Sequence, residues 1–345
     1  MRIFTATKQS GFFISVMFLS TFFGASMKKF VQQFRSRQAV KPSTVPSHSH
    51  DSSNTMVQKY TTARVRAVFR RELRAIVLVA SLTVSLILGA ASCSGGGLNL
   101  FDTATDAQLG KQMDDQIRQN PKEYPILNNP AVKQYIQNMI NDIIRSEHVK
   151  YRGTFPYQAE VIADDKTINA FCTPGGYIYV YTGLMKAVDN EATLAGVLGH
   201  EVAHAERRHG TSRMTKAYGL QIVLSIALGQ NPSQLATIGA NLFSGLALLK
   251  NSRLDEDDAD NFSFKYLQGT RWYPGSIKFF FEKVGGQRGQ GDGIGTTVER
   301  LLSSHPLPQD RIDATNKRIE EAKLPPPSES NLHAIPYQQF KRTLP

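Results

Sequence analysis

A five-residue motif, His200-Glu201-Val202-Ala203-His204, constrains this chain more than any other feature. On an α-helix, residues four positions apart share one face and lie about 6 Å apart along the axis. Two imidazoles placed in this way can bind one Zn²⁺, and the glutamate between them can accept a proton from a water molecule at the metal. The alternative is a solvent-facing helix whose histidines have no function. A third ligand would decide between the two interpretations.

The residues around the motif predict the helix that it requires. Asp189 or Asn190 can cap the start of this helix. The basic residues 207–209 suit its negatively charged last turn, and Gly210 follows as a terminator. Apolar residues recur on a second face, which can bury the helix, and these are Leu194, Leu198, Val202 and Ala205.

Candidates for the third ligand lie in the acidic run of residues 255–260. Glu256 and Asp260 repeat the four-residue spacing, so that one can ligate the metal while the other accepts the outer N–H of a ligating histidine. Asp255 and Asp257 are interpreted as members of a solvated face. A calcium loop is the other alternative, but the run lacks the glycine and the alternating spacing of a calcium-binding hand.

Three further blocks accompany the pentapeptide. Residues 252–260 read S-R-L-D-E-D-D-A-D, residues 169–176 read N-A-F-C-T-P-G-G, and residues 304–312 read S-H-P-L-P-Q-D-R-I. Together the blocks resemble the zinc metallopeptidase family that includes HtpX, Oma1 and the CaaX prenyl protease, and more narrowly its bacterial periplasmic, BepA-like branch. The likeness covers roughly residues 103 to 320. Asp258 stands where the family's S-R-x-x-E-x-E-A-D motif has a glutamate.

The resemblance implies a complete metal site. It assigns one Zn²⁺ per chain to His200, His204 and Glu256. It implies that Asp260 accepts the outer N–H of a ligating histidine and that Glu201 is the general base.

The resemblance also implies further residues of the active site. His305 and Arg311 are expected to line the cleft, where a positive or hydrogen-bonding group can stabilise the oxyanion. Alternatively, His305 is an ordinary histidine in a loop and Arg311 is an arginine at the start of a helix. In BepA-like proteins the corresponding histidine can instead occupy the open position of the zinc and hold the enzyme latent.

An edge strand is expected to bind the extended backbone of the substrate by strand addition. The residues assigned to this role are Asn169, Ala170, Phe171, Gly175 and Gly176. Cys172 lies in the same segment. A thiol nucleophile is conceivable there, but a small packed residue is the favoured interpretation.

The formal net charge of +11 belongs to one part of the chain. Residues 1–92 hold 13 Lys and Arg against 2 Asp and Glu, whereas residues 93–345 hold 27 of each. The N-terminal part therefore carries the whole excess and the remainder is neutral. For this reason we expect no nucleic-acid partner.

Residues 56–92 have the pattern of a secretory signal, with five arginines before an apolar core of about 15 residues and a small-residue ending. Cys93 follows Ala-Ala-Ser and resembles the lipidated cysteine of a bacterial lipoprotein, although Ala90 stands where leucine is usual. Ser94 favours sorting to the outer membrane. An ordinary signal peptide or an uncleaved N-terminal membrane helix is the alternative.

Residues 1–55 contain a separate apolar stretch, residues 11–27, which is long enough for a short membrane span. The Ser-, Thr-, His- and Pro-rich residues that follow predict disorder. Because two consecutive export signals are unusual, we expect translation to begin near Met56 and residues 1–55 to be an upstream segment.

We expect a tether over residues 93–102, one zinc metallopeptidase domain over residues 103–325, and a tail over residues 326–345 that begins after a linker-like run of prolines. The predicted fold class is α+β: a zincin-type peptidase domain, mostly helical, with a small β-sheet beside the metal-binding helix. The apolar residues 217–249 predict a buried helical hairpin, and a membrane- or substrate-facing flap is the alternative.

These expectations combine into one function. They predict a zinc-dependent endopeptidase of the bacterial cell envelope, an outer-membrane lipoprotein facing the periplasm. Its partners would be unfolded or misassembled envelope proteins, cleaved for quality control. The alternative is a chaperone-like protein for outer-membrane protein assembly whose proteolysis is latent or secondary.

Overall fold

The computed structural model describes residues 99–227, 251–287, 305 and 309–345. In chain order the described helices are α1 (Thr103–Arg118), α2 (Pro130–Ile143), α3 (Thr182–Ala187), α4 (Glu191–Glu206), α5 (His209–Ala227), α6 (Arg253–Leu267), α7 (Ile277–Gln287), α8 (Gln309–Glu321), α9 (Glu329–Leu332) and α10 (Ala334–Lys341), and the described strands are β1 (Gln158–Ile162), β2 (Ala170–Cys172) and β3 (Tyr177–Tyr181). This mostly helical arrangement with a small sheet confirms the predicted fold class.

The three strands form one sheet in the order β1-β3-β2. Strand β3 runs parallel to β1 and antiparallel to β2. The central strand β3 is buried throughout, as its continuous apolar and aromatic sequence predicts. Strand β2 lies at an edge, and no described strand pairs with its outer side.

Helix α4, which carries the pentapeptide, lies at the centre of the domain. All of its residues are buried, so the helix lacks the solvent-facing side that an amphipathic pattern implies. Two glycines permit close packing. A Cβ atom on Gly199 would lie 2.7 Å from the hydroxyl of Ser263 in α6, and one on Gly196 would lie 2.7 Å from the backbone nitrogen of Ile277 in α7. Helix α6, which carries Glu256, is therefore held directly against α4.

Helix α4 ends at Glu206, so the prediction that Gly210 terminates this helix is wrong. Arg208 adopts the left-handed conformation, with φ of 59°, and Gly210 lies inside α5. Glycine is the commonest residue at a left-handed helix end because it has no Cβ atom. Here arginine takes that place because its guanidinium group is held by the Asp106 carboxylate and the Phe101 carbonyl.

The C-terminal segment, residues 326–345, packs back onto the domain. Tyr337 is fully buried, and its hydroxyl donates to the carbonyl of Met185 at 2.6 Å. The ring of Phe340 stacks on that of Tyr135 with centroids 3.6 Å apart. The proline run resembles a linker, but the aromatic side chains beyond it gain more free energy by burial than by exposure.

Several predictions fall on residues that the structure does not describe. The signal sequence with Cys93 and most of the apolar hairpin over residues 217–249 lie outside the described residues, and helix α5 is described only as far as Ala227. None of the described helices combines the length and the apolar character that a membrane span requires.

Candidate metal centre

Helix α4 directs both histidines of the pentapeptide to one point. The Asn190 side chain caps the helix by accepting a hydrogen bond from the backbone N–H of Thr193 at 2.8 Å. His200 and His204 follow one turn apart and are buried, with Nε2 atoms 2.9 Å from each other. Their ring nitrogens thus converge as a metal-binding pair requires.

Helix α6 brings Glu256 to the same point. The side chain of Ser252 and that of Asp255 form a reciprocal capping box, which begins the helix just before Glu256. The Glu256 carboxylate lies 3.4 Å from Nε2 of His200 and 3.3 Å from Nε2 of His204. The interpretation of Asp255 as a solvated residue was wrong, because it is a buried part of this cap.

His305 completes the cluster. Its Nδ1 atom is 3.0 Å from Oε1 of Glu256 and 3.4 Å from Nε2 of His200. One ligand atom from each of His200, His204, Glu256 and His305 lies within 4.8 Å of the others. Zinc bonds of about 2.0–2.2 Å in a tetrahedron place their donor atoms about 3.3–3.6 Å apart. The observed separations of 2.9 to 3.4 Å lie at or slightly below this range, and the set of imidazole and carboxylate donors is one that binds zinc.

The charge states of His204 and Glu256 suit metal ligands, whereas His200 holds a proton. Burial lowers the pKa of His204 well below its usual range, so this imidazole is neutral. Burial would raise the pKa of Glu256, but the charge of His305 and hydrogen bonds from His200 and His204 hold it well below its usual range. Burial likewise opposes the charge on His200, yet hydrogen bonds with Asp260 and Glu256 raise its pKa to about 9. Metal binding must therefore displace a proton from His200.

Arg311 and Asp260 lie behind the ligands. Nδ1 of His200 is 2.8 Å from Oδ1 of Asp260, as the resemblance implied for this carboxylate. Arg311 is buried, with Nε 2.7 Å from Oδ2 of Asp260 and Nη1 2.7 Å from Oε2 of Glu256. The guanidinium group of Arg311 pairs with the candidate ligand Glu256 and with the carboxylate behind His200, which favours a role in holding the site over the oxyanion role that the sequence predicts.

Glu201 lies beside the cluster and is buried, with 3% of its surface exposed. Its Oε1 atom is 3.7 Å from Nε2 of His305. Burial raises the pKa of Glu201, while the charges of His305 and His200 oppose the shift. A buried carboxyl group with a raised pKa next to a metal site is suited to accept a proton.

Three residues of the site were missed from sequence. Nδ1 of His204 is 2.8 Å from Nδ1 of His209, and Nε2 of His209 is 3.1 Å from Oδ2 of Asp258. Asn251 is buried, with Nδ2 3.2 Å from Nδ1 of His305. No periodic pattern links these residues. The one hint was that Asp258 departs from the family's motif.

The backbone of β2 has an open edge that faces away from β3. The carbonyl of Asn169 accepts from the N–H of Tyr181, and the N–H of Thr173 donates to the carbonyl of Tyr177. Because hydrogen bonds alternate along an antiparallel strand, the N–H and C=O groups of Ala170 and Cys172 point to the outer side. An extended peptide could pair there.

Side chains of the predicted substrate segment are distributed over different parts of the domain. Ala170 packs toward α4, whereas Phe171 points to the opposite face of the sheet and stacks on Tyr179 at 4.8 Å. Gly175 and Gly176 form the buried turn between β2 and β3, with φ of 74° and 86°. Added Cβ atoms there would lie 2.8 Å from α1 and from the ring of Tyr157, so the structure gives these glycines a conformational role.

Cys172 is a free cysteine next to Glu201. Burial raises the pKa of its thiol well above the usual range, and the charge of Glu201 adds to the shift. A neutral thiol is a poor nucleophile. This favours the interpretation of Cys172 as a packed residue.

Comparisons with known proteins agree with this geometry. Residues 130–319 match Peptidase family M48. The Beta-barrel assembly-enhancing protease of Escherichia coli (strain K12) is 26% identical over 255 residues, which are 70% of this chain and 51% of the relative. The Mitochondrial metalloendopeptidase OMA1 of Arabidopsis thaliana is 34% identical over 168 residues, 48% of this chain and 32% of the relative. Metalloprotease YcaL of Escherichia coli (strain K12) is 28% identical over 167 residues, 45% of this chain and 60% of the relative.

The chain spans about half the length of the beta-barrel assembly-enhancing proteases that it matches. The family match covers more than half of the chain and contains the metal cluster, the edge strand and Arg311. The resemblance drawn from the motifs is thereby confirmed, and the chain belongs to peptidase family M48.

Proposed function

We propose that the protein is a zinc-dependent endopeptidase that cleaves unfolded or misassembled proteins at the periplasmic face of the bacterial cell envelope. The observation that carries the proposal is the convergence of His200, His204 and Glu256 on one point, with Glu201 beside them. Membership of family M48 supports the same activity.

The chain's own contribution to the reaction is the movement of a proton. When bound, a zinc ion supplies Lewis acidity that polarises the substrate carbonyl and activates a water molecule. Glu201 accepts the proton of the attacking water and delivers it to the departing amine. Its burial keeps bulk water from competing for that proton. His200, Asp260 and Arg311 form a rigid hydrogen-bonded series that fixes the first ligand.

The open edge of β2 supports a polypeptide substrate. The outward N–H and C=O groups of Ala170 and Cys172 bind backbone, which every unfolded chain offers. Strand addition requires an extended segment and recognises no particular side chain. This mode of binding favours unfolded or misassembled proteins over folded ones.

The location follows from the predicted lipidation of Cys93. Asn99 lies six residues later, and its side chain donates to the hydroxyl of Thr211 at 2.9 Å. A fully extended chain of that length spans at most about 20 Å. A lipid on Cys93 would therefore hold the peptidase domain close to the membrane surface, where envelope proteins are assembled.

A chaperone-like function with latent proteolysis is the second candidate, and the placement of His305 favours it. Catalytic zinc sites normally keep one position open for water or substrate. Here His305 lies among the other three ligands, where it would occupy that position. The printed name of the E. coli relative, an assembly-enhancing protease, fits a protein with both activities.

Metal-dependent cleavage of an unfolded protein tests the proposal. Zinc-loaded protein would be incubated with unfolded casein and the fragments identified by mass spectrometry. Internal cleavage that stops with a chelator and returns with zinc is expected. His305→Ala, which removes the fourth ligand, distinguishes latency from inactivity. If neither the wild type nor this variant cleaves when fully loaded with zinc, the peptidase proposal is wrong.

Suppression of aggregation tests the chaperone candidate. A denatured β-barrel protein would be diluted from urea with and without the Glu201→Gln variant, which lacks the proton acceptor. Reduced light scattering with the inactive variant supports binding that is independent of cleavage. Equal scattering with and without the variant removes this candidate.

A further inference from the structure

The second zinc ligand, His204, has an outer partner unlike that of the first. His200 directs its Nδ1 atom to a carboxylate, Asp260, at 2.8 Å. His204 directs its Nδ1 atom to another imidazole, His209, at 2.8 Å. The far nitrogen of His209 reaches Oδ2 of Asp258 at 3.1 Å, so a histidine is inserted between the ligand and its carboxylate.

The break between α4 and α5 creates this contact. In a continuous α-helix each residue turns by about 100°, so a residue five positions after His204 would lie about 140° away from it. The left-handed conformation of Arg208 interrupts the helix and changes the course of the backbone. As a result His209 begins α5 with its ring folded back against His204, and the centroids of the two rings are 4.9 Å apart.

Hydrogen-bond complementarity determines the protonation of the series. Nε2 of His204 faces the metal cluster and must offer its lone pair to ligate a metal, so the proton of a metal-bound His204 lies on Nδ1. Nδ1 of His209 must then accept, and its own proton lies on Nε2. From there it donates to Asp258. With a metal on Nε2 of His204, every ring nitrogen in the series would have a partner of the opposite kind.

Asp258 is itself held in place as an anion. Nε of Arg207 donates to Oδ2 of Asp258 at 2.7 Å. Burial would raise the pKa of Asp258, but hydrogen bonds from His209 and Arg207 keep it below its usual range. The series therefore ends on a carboxylate that α6 carries and that Arg207, the residue directly after α4, holds in place.

We propose that His209 is a positioning residue that fixes the tautomer and ring orientation of His204, with Asp258 fixing His209 in turn. The inference rests on the zinc site of the proposed function. Partners of this kind orient ligating histidines in other metal sites, and their loss typically costs about 10–100-fold in metal affinity.

Two substitutions separate positioning from packing. Asn at position 209 can place an amide oxygen where Nδ1 of the histidine lies, so it can still accept from His204. Gln at the same position can reach the site of Nε2, so it contacts Asp258 but offers His204 nothing. If His209 only fills space, the larger Gln is the better replacement. If it positions His204, Asn is the better one.

The experiment measures zinc affinity of the full chain by competition with a chelating dye, together with the visible spectrum of the cobalt-substituted protein. We expect affinity to fall by about 10–100-fold in His209→Gln and in His209→Leu, with a changed cobalt spectrum, and by less in His209→Asn. His148→Gln is the matched control, because the side chain of His148 is outside the cluster and partly exposed.

The outcomes are distinguishable from failure of the proposed function. A wild-type protein that binds no zinc contradicts the zinc site itself. A wild-type protein that binds zinc, with Gln at position 209 equal to or better than Asn, overturns the positioning role alone. If His209→Leu does not fold, as circular dichroism would show, the comparison of Asn with Gln still decides.

Discussion

Arg311 and Asp260 form a bidentate ion pair, in which the distances Nε–Oδ2 and Nη2–Oδ1 are both 2.7 Å. Oδ1 of Asp260 is also the partner of His200. The planar guanidinium group matches a carboxylate at two points, whereas the ammonium group of lysine is a single point charge. Arg311 thus contacts both the carboxylate behind His200 and the candidate ligand Glu256.

Arg311→Lys is expected to weaken zinc binding by about 10–100-fold, because the carboxylate behind His200 loses its bidentate partner. Competition with a chelator measures the change, and Arg342→Lys, at an exposed position, is the control. If Arg311 instead stabilises the oxyanion, the substitution should lower kcat and leave zinc affinity unchanged. A variant that keeps wild-type zinc affinity while kcat falls would restore that role to Arg311.

The candidate ligands and the carboxylate behind them could be predicted in pairs because the spacing within each pair is local. His200 and His204, and again Glu256 and Asp260, recur after four residues, and helical geometry alone places each pair on one face. The capping residue Asn190 was predictable for the same reason. The packing of α4 against α6 brings together residues that are far apart in the sequence. Only the family resemblance predicted that contact.

The remainder depends on tertiary contacts. Arg208 takes a conformation that glycine usually takes because Asp106, about a hundred positions away, holds its side chain. His209 reaches His204 only because of that break. Tyr337 returns to the core through a contact with Met185. No periodicity in the sequence encodes such pairs.

Arg208→Met is expected to destabilise the fold, since Asp106 is buried and loses its cationic partner. Removal of one partner of a buried pair typically costs about 3–5 kcal/mol, and the partial exposure of Arg208 favours the lower end. Urea denaturation near neutral pH measures the change. Arg342→Met, at an exposed position, should be neutral.

The same variant should show a characteristic pH dependence. Burial raises the pKa of Asp106 above its usual value, while Arg208 opposes the shift. A raised pKa gives stability that is present below the unfolded-state pKa and is lost as pH rises through the folded-state pKa. Without Arg208 the folded-state pKa rises further. The cost of the substitution should therefore shrink as pH falls from neutrality toward the usual pKa of an aspartate, and Asp106→Asn in the same chain should abolish this trend.

Backbone methylation of a peptide substrate should reveal strand pairing. Alternate residues of a paired strand direct their N–H groups to the partner. A single N-methyl group should therefore lower kcat/KM at every second residue on one side of the scissile bond, with little effect at the intervening residues. A scan in which the losses show no period of two would remove β2 as the docking strand.

Cys93→Ala is expected to release the protein from the membrane fraction. One acyl chain binds membranes only marginally, whereas several chains give stable anchoring. Wild-type protein with a multiply acylated Cys93 should stay with membranes through salt washes, and so should the control Cys172→Ala. If Cys93→Ala remains with the membranes, the anchor is an uncleaved helix and the lipoprotein prediction is wrong.

Glu201→Gln is expected to abolish hydrolysis while zinc content and stability stay unchanged. The amide is nearly isosteric with the carboxylate, and the ligands His200 and His204 are untouched. A neutral amide can neither take the proton of the attacking water nor pass one to the amine. General acid–base catalysis typically contributes about 10²–10⁴-fold, and here one residue serves both transfers, so we expect the upper end. Casein cleavage, zinc content and thermal melting are measured in parallel, with the exposed Glu147→Gln as control. A zinc-loaded, stable Glu201→Gln protein that cleaves within about threefold of wild type would be incompatible with a general base at Glu201.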